Sequence, residues 1–181
     1  MPSHLPPETV LRTYIQSKDE NRPHLMAQVF SEAATLQMQV RTDNIAFPAA
    51  TQGAAAIADV LSRKFGQAYE NVYTFYLGAV PAAATEQFSC DWLVGMSDKA
   101  SGQVRVGCGR YDWVFDPAAG GRAGHLSIAI EAMQLLPPDE LQAVMAWLGG
   151  LDYPWSSASA VLASAPAIAA LAPVLQYLRQ A

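Results

Sequence analysis

The segment Cys108–Asp116, written CGRYDWVFD, carries the densest mixture of reactive side chains in the chain. A thiol, a guanidinium, a phenol, a carboxylate and an indole lie within its first six residues. A carboxylate or a phenol can act as an acid or a base, and a thiol can act as a nucleophile beside a base. The segment is therefore an active site, a wall of a binding pocket, or a buried polar seam that fixes strand register.

Alternation divides this segment into two faces, because it lies in a predicted β-strand over residues 103–116 and successive strand side chains point to opposite sides of a sheet. One face carries the larger side chains Arg105, Tyr111, Trp113 and Phe115. The other face carries Val104, Val106, Cys108, Arg110, Asp112 and Val114. On this second face we expect Arg110, Asp112 and Glu131 to form a buried ion network that specifies strand pairing.

A predicted turn near residue 99 joins this strand to the strand before it. With that turn, Cys90 lies opposite Cys108, and Asp91 shares a face with Tyr111. A register error of an odd number of residues would exchange the faces. We expect the two cysteines to be a reduced core pair rather than a disulfide, as is usual in the cytoplasm.

A predicted turn near residue 119 joins the strand to the one that follows. Leu126, Ile128 and Ile130 then share the face of Tyr111, whereas His125, Ser127 and Glu131 share the face of Arg110. The close pair Gly107 and Gly109 indicates a β-bulge, at which the alternation would be interrupted.

The remaining elements are predicted from apolar periodicity and turn residues. Helices are expected over residues 8–19, from Pro23 over a short stretch, and from Gly53 onward; strands are expected over 35–41, 71–80, 87–97, 103–116 and 123–134. Helices followed by an antiparallel meander predict an α+β domain, in which a curved sheet carries helices on one face. We assign residues 1–134 to this domain.

Residues 135–181 form an Ala- and Pro-rich extension of different character. A helix is predicted between Pro137 and Gly149, followed by short helices that end at Pro166 and Pro173. Because many of its side chains are apolar, we expect the extension to pack on the domain or on a partner subunit.

Composition excludes several classes of function. The net charge is −5 and the eleven basic residues are scattered, so nucleic-acid binding is not expected. No apolar run is long enough to cross a membrane, and no secretory signal is recognised. The two cysteines lack metal-ligand spacing. We therefore expect a cytoplasmic protein without a metal or other cofactor.

The order of elements resembles the cystatin-like fold of the nuclear transport factor 2-like superfamily, over about residues 8–134. The features that match are Tyr14–Asp19, Phe30–Thr35, Gly53–Ile57 and Ile128–Met133. This superfamily includes SnoaL-like polyketide cyclases, ketosteroid isomerases and scytalone dehydratase. The resemblance implies a conical cavity between three N-terminal helices and the concave face of the sheet.

The resemblance also suggests where catalytic groups would lie. In ketosteroid isomerases the cavity holds a tyrosine on the first helix, a basic aspartate near the first strand and an acid on a late strand. These positions correspond to Tyr14, Met38 and Tyr111. Only the first carries over, and the missing base argues against a steroid-isomerase mechanism. A SnoaL-like cyclase would need a histidine–aspartate pair, and only His125 is predicted to lie on a strand.

Two functional hypotheses follow. In the first, the chain binds a small apolar or ring-containing ligand, with isomerase, cyclase or dehydratase-type acid–base activity. Its catalytic residues would be Asp91 and Tyr14, because a carboxylate in an apolar cavity has a raised pKa; its ligand-binding residues would be Tyr76, Tyr111, Trp113 and Arg105. In the second, the chain is a non-catalytic, dimeric accessory or binding module with a vestigial cavity. A homodimer is expected in either case.

Overall fold

The computed structural model describes residues 3–181, in which seven strands form one curved sheet. Their order across the sheet is β2-β1-β6-β5-β4-β3-β7. The strands are β1 (Phe30–Val40), β2 (Ala50–Gln52), β3 (Tyr69–Leu77), β4 (Gln87–Asp98), β5 (Val104–Phe115), β6 (Ala123–Leu136) and β7 (Trp155–Ser156).

Seven α-helical segments flank the sheet on its two faces. They are α1 (Pro7–Asp19), α2 (Met26–Val29), α3 (Ala54–Ala58), α4 (Lys64–Ala68), α5 (Leu141–Gly149), α6 (Ala158–Ser164) and α7 (Ala172–Gln180). A π-helical turn over Asp59–Arg63 joins α3 to α4, so these three pieces form one continuous helical stretch. Helix α1 begins at Pro7, where a proline is well placed because the first N–H of a helix needs no intrahelical partner.

Strands β3 to β6 form the antiparallel meander that the sequence predicts. Strand β1 joins its edge by running parallel to β6, with Met38 beside Ile128. Strand β7 lies at the other edge, parallel to β3, where Tyr76 pairs with Trp155.

The β4–β5 hairpin corrects the predicted register. Its turn is closed between Asp98 and Gln103, with a distance of 2.9 Å between Asp98 N and Gln103 O. Cys90 therefore lies opposite Tyr111, not Cys108. The shift is three residues, an odd number, so the faces of β4 are exchanged relative to the prediction. Both cysteines are free and buried.

The β5–β6 pairing agrees with the predicted turn, since Tyr111 lies beside Ile128. The predicted bulge also lies near the glycines, but its extra residue is Glu131 in β6, between the partners of Cys108 and Gly109. Here the strands approach so closely that a Cβ at Gly109 would collide with the carbonyl oxygen of Ala129.

The expected buried ion network on the outer face is wrong. Arg110 and Asp112 are exposed and lie 3.5 Å apart at the closest nitrogen and oxygen. Glu131 pairs instead with Arg41, at 2.8 Å. The charged groups of Arg110 and Asp112 therefore remain in contact with water.

Two apolar cores lie on the two faces of the sheet. On the concave face, side chains of β1 and β3–β6 pack against α1 to α4. On the outer face, Phe75, Leu93, Val106 and Cys108 pack against the C-terminal extension. Trp147 of α5 is nearly buried there, and its indole nitrogen donates to the Val161 carbonyl.

No helix within residues 3–181 is long and apolar enough to cross a bilayer.

Candidate functional site

An apolar cavity lies between the concave face of the sheet and the helices. Its volume is about 40 Å³, far below the ~300–1,000 Å³ of typical small-molecule pockets. We call it the inner cavity. Its apolar wall includes Met38, Leu61, Val94, Met96, Ile128 and Met133.

Helix α1 brings two polar side chains to the inner cavity. Tyr14 and Lys18 are four residues apart, so they project from the same side of the helix. The Tyr14 hydroxyl is buried near the Tyr111 hydroxyl, but no hydrogen bond of normal geometry joins it to any of the described residues. Burial raises the pKa of Tyr14 and of its neighbour Tyr111, so both phenols remain protonated near neutral pH.

Lys18 is a buried cation with two fixed partners. Its Nζ donates to the Thr74 hydroxyl at 2.7 Å and lies 3.2 Å from Asp19 Oδ1. The same nitrogen lies 4.4 Å from the centre of the Phe65 ring. Burial lowers the pKa of Lys18, and the neighbouring Asp19 carboxylate partly opposes that shift.

Asp19 is held by three further donors. Its carboxylate accepts from the Thr74 backbone N–H at 2.7 Å and from the Thr74 hydroxyl at 2.8 Å. The Tyr153 hydroxyl, from the C-terminal extension, donates to it at 2.7 Å. This network links α1, β3 and the extension beside the inner cavity, and it fixes where the Lys18 ammonium lies.

Strand β4 contributes one more unpartnered donor. Trp92 lines the inner cavity, and within residues 3–181 its indole N–H has no hydrogen-bond acceptor. The polar groups that line the inner cavity are therefore mainly hydrogen-bond donors. The nearby Asp19 carboxylate, an acceptor, is already occupied by Thr74 and Tyr153.

A thin partition separates the inner cavity from a groove on the surface. The groove, here called the outer groove, has a volume of about 200 Å³. Three side chains line both spaces: Ile45, Phe47 and Phe65. Ile45 and Phe47 belong to the loop between β1 and β2. Displacement of these side chains would join the two spaces into one larger site.

Among the predicted site residues, Tyr14 and Tyr111 line the inner cavity. Tyr76 and Trp113 lie on the predicted face, but inside the core beside the cavity. The Tyr76 hydroxyl donates to the Leu11 carbonyl at 2.9 Å. Trp113 is stacked between Phe30 and Phe115, with ring centres 5.9 and 6.1 Å away.

Arg105 lies on the concave side of β5, but its side chain contacts residues outside the inner cavity. Its guanidinium donates to the Asn44 carbonyl at 2.7 Å and lies 3.4 Å from an Asp98 oxygen. It also lies over the Tyr69 ring, at 5.4 Å. These contacts fix the β1–β2 loop against the sheet and leave Arg105 outside the inner cavity wall.

The expected position of Asp91 in the cavity is wrong, because the hairpin register turns it to the outer face. Its carboxylate accepts from the Tyr177 hydroxyl at 2.9 Å and lies 3.9 Å from Arg110. It therefore cannot reach a ligand in the inner cavity, and its visible role is to hold α7 against the sheet.

His125 also lies on the outer face, between Thr35 and Ser127, at 2.7 and 2.9 Å from their hydroxyl oxygens. Across residues 3–181, no three side chains of His, Cys, Asp or Glu cluster closely enough to hold a metal ion.

Lys18, Thr74 and Trp92 were not predicted as site residues from the sequence. The spacing of four residues from Tyr14 is a signal that could have identified Lys18. Trp92 required the correct β4–β5 register, and Thr74 required knowledge of how α1 crosses β3.

Comparison with known proteins decides the fold. No protein-family model matches the chain, and no curated protein matches it. Solved structures do: a nuclear transport factor 2-like superfamily protein from Salmonella enterica subsp. enterica serovar Typhimurium str. LT2 superposes with a TM-score of 0.54 at 21% identity, over 69% of this chain and 88% of that one. The chain has the nuclear transport factor 2-like fold.

Other proteins of this fold give similar superpositions. A hypothetical protein with a ketosteroid isomerase-like fold from Catenulispora acidiphila DSM 44928, in complex with trimethylamine, has a TM-score of 0.54 at 14% identity, over 68% of this chain and 85% of that one. A hexachlorocyclohexane dehydrochlorinase, LinA type 2, has a TM-score of 0.56 at 11% identity, over 70% and 84%. The predicted α+β, cystatin-like fold class is confirmed. At these identities the likeness establishes the nuclear transport factor 2-like fold alone.

Proposed function

We propose that the chain binds a small apolar compound, with a ring or an acyl body, in the inner cavity. The main support for this proposal is that two hydrogen-bond donors in the apolar wall have no acceptor. They are the Tyr14 hydroxyl and the Trp92 indole N–H. Leaving a buried donor unpaired costs about 1–3 kcal/mol, and a ligand with an acceptor atom would remove that cost. Apolar pockets with a few converging polar groups are the usual form of small-molecule sites.

The second part of this proposal concerns how a ligand enters the inner cavity. The inner cavity alone, at about 40 Å³, is much smaller than the ~300–1,000 Å³ of typical small-molecule pockets. The ligand would therefore displace Phe47 or Phe65 and extend into the outer groove, which these residues also line. Its polar end would meet the donors of α1 and β4, and its apolar body would occupy the groove.

The sequence also predicts acid–base activity of the isomerase, cyclase or dehydratase type. With Asp91 on the outer face, the titratable groups that line the inner cavity are Tyr14, Lys18 and Tyr111. Any such reaction would have to use these groups. We therefore propose ligand binding as the primary function and assign no reaction.

A pair of matched variants tests the binding proposal. Val94 lines the inner cavity, whereas Val114 is exposed on the outer face of β5. A library of small neutral ring compounds is screened against the wild type by saturation-transfer NMR. We expect bound compounds to be lost in Val94→Phe and retained in Val114→Phe. A dispersed NMR spectrum would show that Val94→Phe is folded. If the folded variant still binds the compounds, the inner cavity is not the binding site.

The small volume of the inner cavity supports a second candidate, a dimeric accessory module whose cavity is vestigial. The part of the outer face that carries Arg110, Asp112 and Val114 is exposed, and it is where we would place a second copy of the chain. Analytical ultracentrifugation gives the oligomeric state. A dimer that binds none of the ring compounds would favour this candidate, whereas a monomer that binds them would favour the first.

A further inference from the structure

Lys18 is a buried amine in the wall of the inner cavity, beside the side chain that separates this cavity from the outer groove. Its Nζ lies 4.4 Å from the centre of the Phe65 ring, and Phe65 lines both spaces. A ligand that displaces this ring on its way from the groove would therefore come close to Nζ.

The contacts of Lys18 leave part of its nitrogen open. Nζ has four tetrahedral positions, of which one is the bond to its own side chain and one is directed to the Thr74 hydroxyl, which accepts at 2.7 Å. The Asp19 carboxylate lies 3.2 Å away as an ion-pair partner. Nζ makes no further hydrogen bond to the described residues. In the neutral amine the lone pair can therefore occupy an open position while the hydrogen bond to Thr74 is kept.

The charges around Lys18 favour an uncharged ligand. Asp19 already neutralises the ammonium, and both charges are buried. A ligand carboxylate would add a second negative charge without a further cation, which an apolar site disfavours. A neutral carbonyl compound adds no charge, and its oxygen can accept from Tyr14 or Trp92.

We propose that Lys18 forms a Schiff base with a small, neutral, apolar aldehyde or ketone in the inner cavity. This inference rests on the proposed function and specifies the chemical class of its ligand. Overall, the ammonium of Lys18 and the carbonyl compound give a protonated imine and one water molecule. Two of the three ammonium hydrogens leave with the carbonyl oxygen as water, and the third stays on Nζ.

The product preserves the electrostatics of the site. The protonated imine carries the same single positive charge as the ammonium, so the ion pair with Asp19 is retained. Its remaining N–H can donate to the Asp19 carboxylate. The attacking species is the neutral amine, and burial increases its share by lowering the pKa of Lys18.

Reductive trapping tests the proposal on the wild-type chain. The only lysines are Lys18, Lys64 and Lys99, and the last two are exposed. Lys64 lines the outer groove, so Lys99 is the reference lysine. The folded protein is treated with a low concentration of butanal and cyanoborohydride near neutral pH, and alkylated lysines are quantified by peptide mass spectrometry. We expect several-fold more butyl label on Lys18 than on Lys99, because the inner cavity would hold the aldehyde beside the Lys18 amine.

The same reaction in guanidinium chloride is the control, since unfolding removes the special environment and should label the three lysines about equally. Preferential labelling of Lys64 and Lys99 in the folded protein would overturn the proposal. If butanal nevertheless shifts the NMR signals of cavity residues, ligand binding stands and only the covalent step is rejected. If butanal and the ring compounds all leave those signals unchanged, the proposed function fails as well.

Discussion

The buried pair of Lys18 and Asp19 is the main polar feature at the scale of single residues. Breaking a buried ion pair by removing one partner typically costs about 3–5 kcal/mol, because the other charge is left uncompensated. Asp19 would still keep its hydrogen bonds from Thr74 and Tyr153, which limits the loss. Substitutions of Lys18 and Asp19 therefore test whether these two side chains stabilise each other as strongly as their short separation indicates.

We predict that Lys18→Met lowers the free energy of unfolding by about 3 kcal/mol. Lys18→Met combined with Asp19→Asn should cost less than the sum of the two single substitutions, by about 1–3 kcal/mol. Urea denaturation of the four proteins measures this coupling. Additive single effects would show that the two side chains do not act as a pair.

The two cysteines are buried thiols without a role in the inner cavity. Burial raises the pKa of Cys90 and of Cys108 to about 12, well above the ordinary pKa of a thiol. A thiol that stays protonated is a poor nucleophile. We predict that neither reacts with Ellman's reagent at pH 8 unless the protein unfolds. Rapid reaction in the native state would contradict their burial.

The same thiols make stability depend on pH. Between about pH 9 and 12 the unfolded chain loses its thiol protons while the folded chain keeps them. The folded state then binds more protons, so its stability falls as the pH rises through this window. The fall should be smaller in the double variant Cys90→Ala/Cys108→Ala, measured by urea denaturation at pH 8.5 and 11. Equal slopes would contradict the raised pKa values.

At the scale of elements, the loop between β1 and β2 controls the size of the site. Its Phe47 is only partly buried and lies between the inner cavity and the outer groove. We predict that Phe47→Ala joins the two spaces and accelerates ligand association. Its cost in stability should be below the ~3–5 kcal/mol of a fully buried phenylalanine.

NMR exchange measurements with a bound ring compound give the association rate. Val80→Ala, at an exposed loop position, is the matched control and should leave the rate unchanged. An unchanged rate in Phe47→Ala would show that ligands enter by another path.

The sequence predicted most helices and the long strands, because these depend on local periodicity, but not the short edge strands β2 and β7. It predicted the faces of β5 and β6 as well, from Tyr111 and Ile128. It failed at β4, because a hairpin turn centred between residues 100 and 101 was placed at residue 99. That error moved Asp91 into the expected site and left Trp92 out. A long-range contact such as that of Lys18 with Thr74 has no local signal, so the network beside the cavity was not predicted.

At the scale of the whole molecule, the extension after β6 covers part of the outer face and reaches the network beside the cavity through Tyr153. Trp147 is central to this covering, since it is 5% exposed and hydrogen bonded to Val161. The proposal that residues 1–134 form the pocket domain and 135–181 an appended extension depends on how strongly the two parts stabilise each other.

We predict that Trp147→Ala lowers the free energy of unfolding of the whole chain by about 3–5 kcal/mol, in a single transition. Far-ultraviolet circular dichroism and tryptophan fluorescence should report the same midpoint. Loss of the extension alone, in an early transition that leaves the sheet folded, would show that the outer core does not stabilise the domain.

Methionine NMR tests the central claim, ligand binding in the inner cavity, most directly. Met38, Met96 and Met133 line the cavity, whereas Met145 lies with the extension on the outer face. The protein is labelled with ¹³C at the methionine methyl groups and titrated with cyclohexanone. If the ligand binds in the inner cavity, the three cavity methyl signals should show saturable shifts and the Met145 signal should stay unchanged. Shifts confined to Met145, or none at saturating ligand concentration, would contradict binding in the inner cavity.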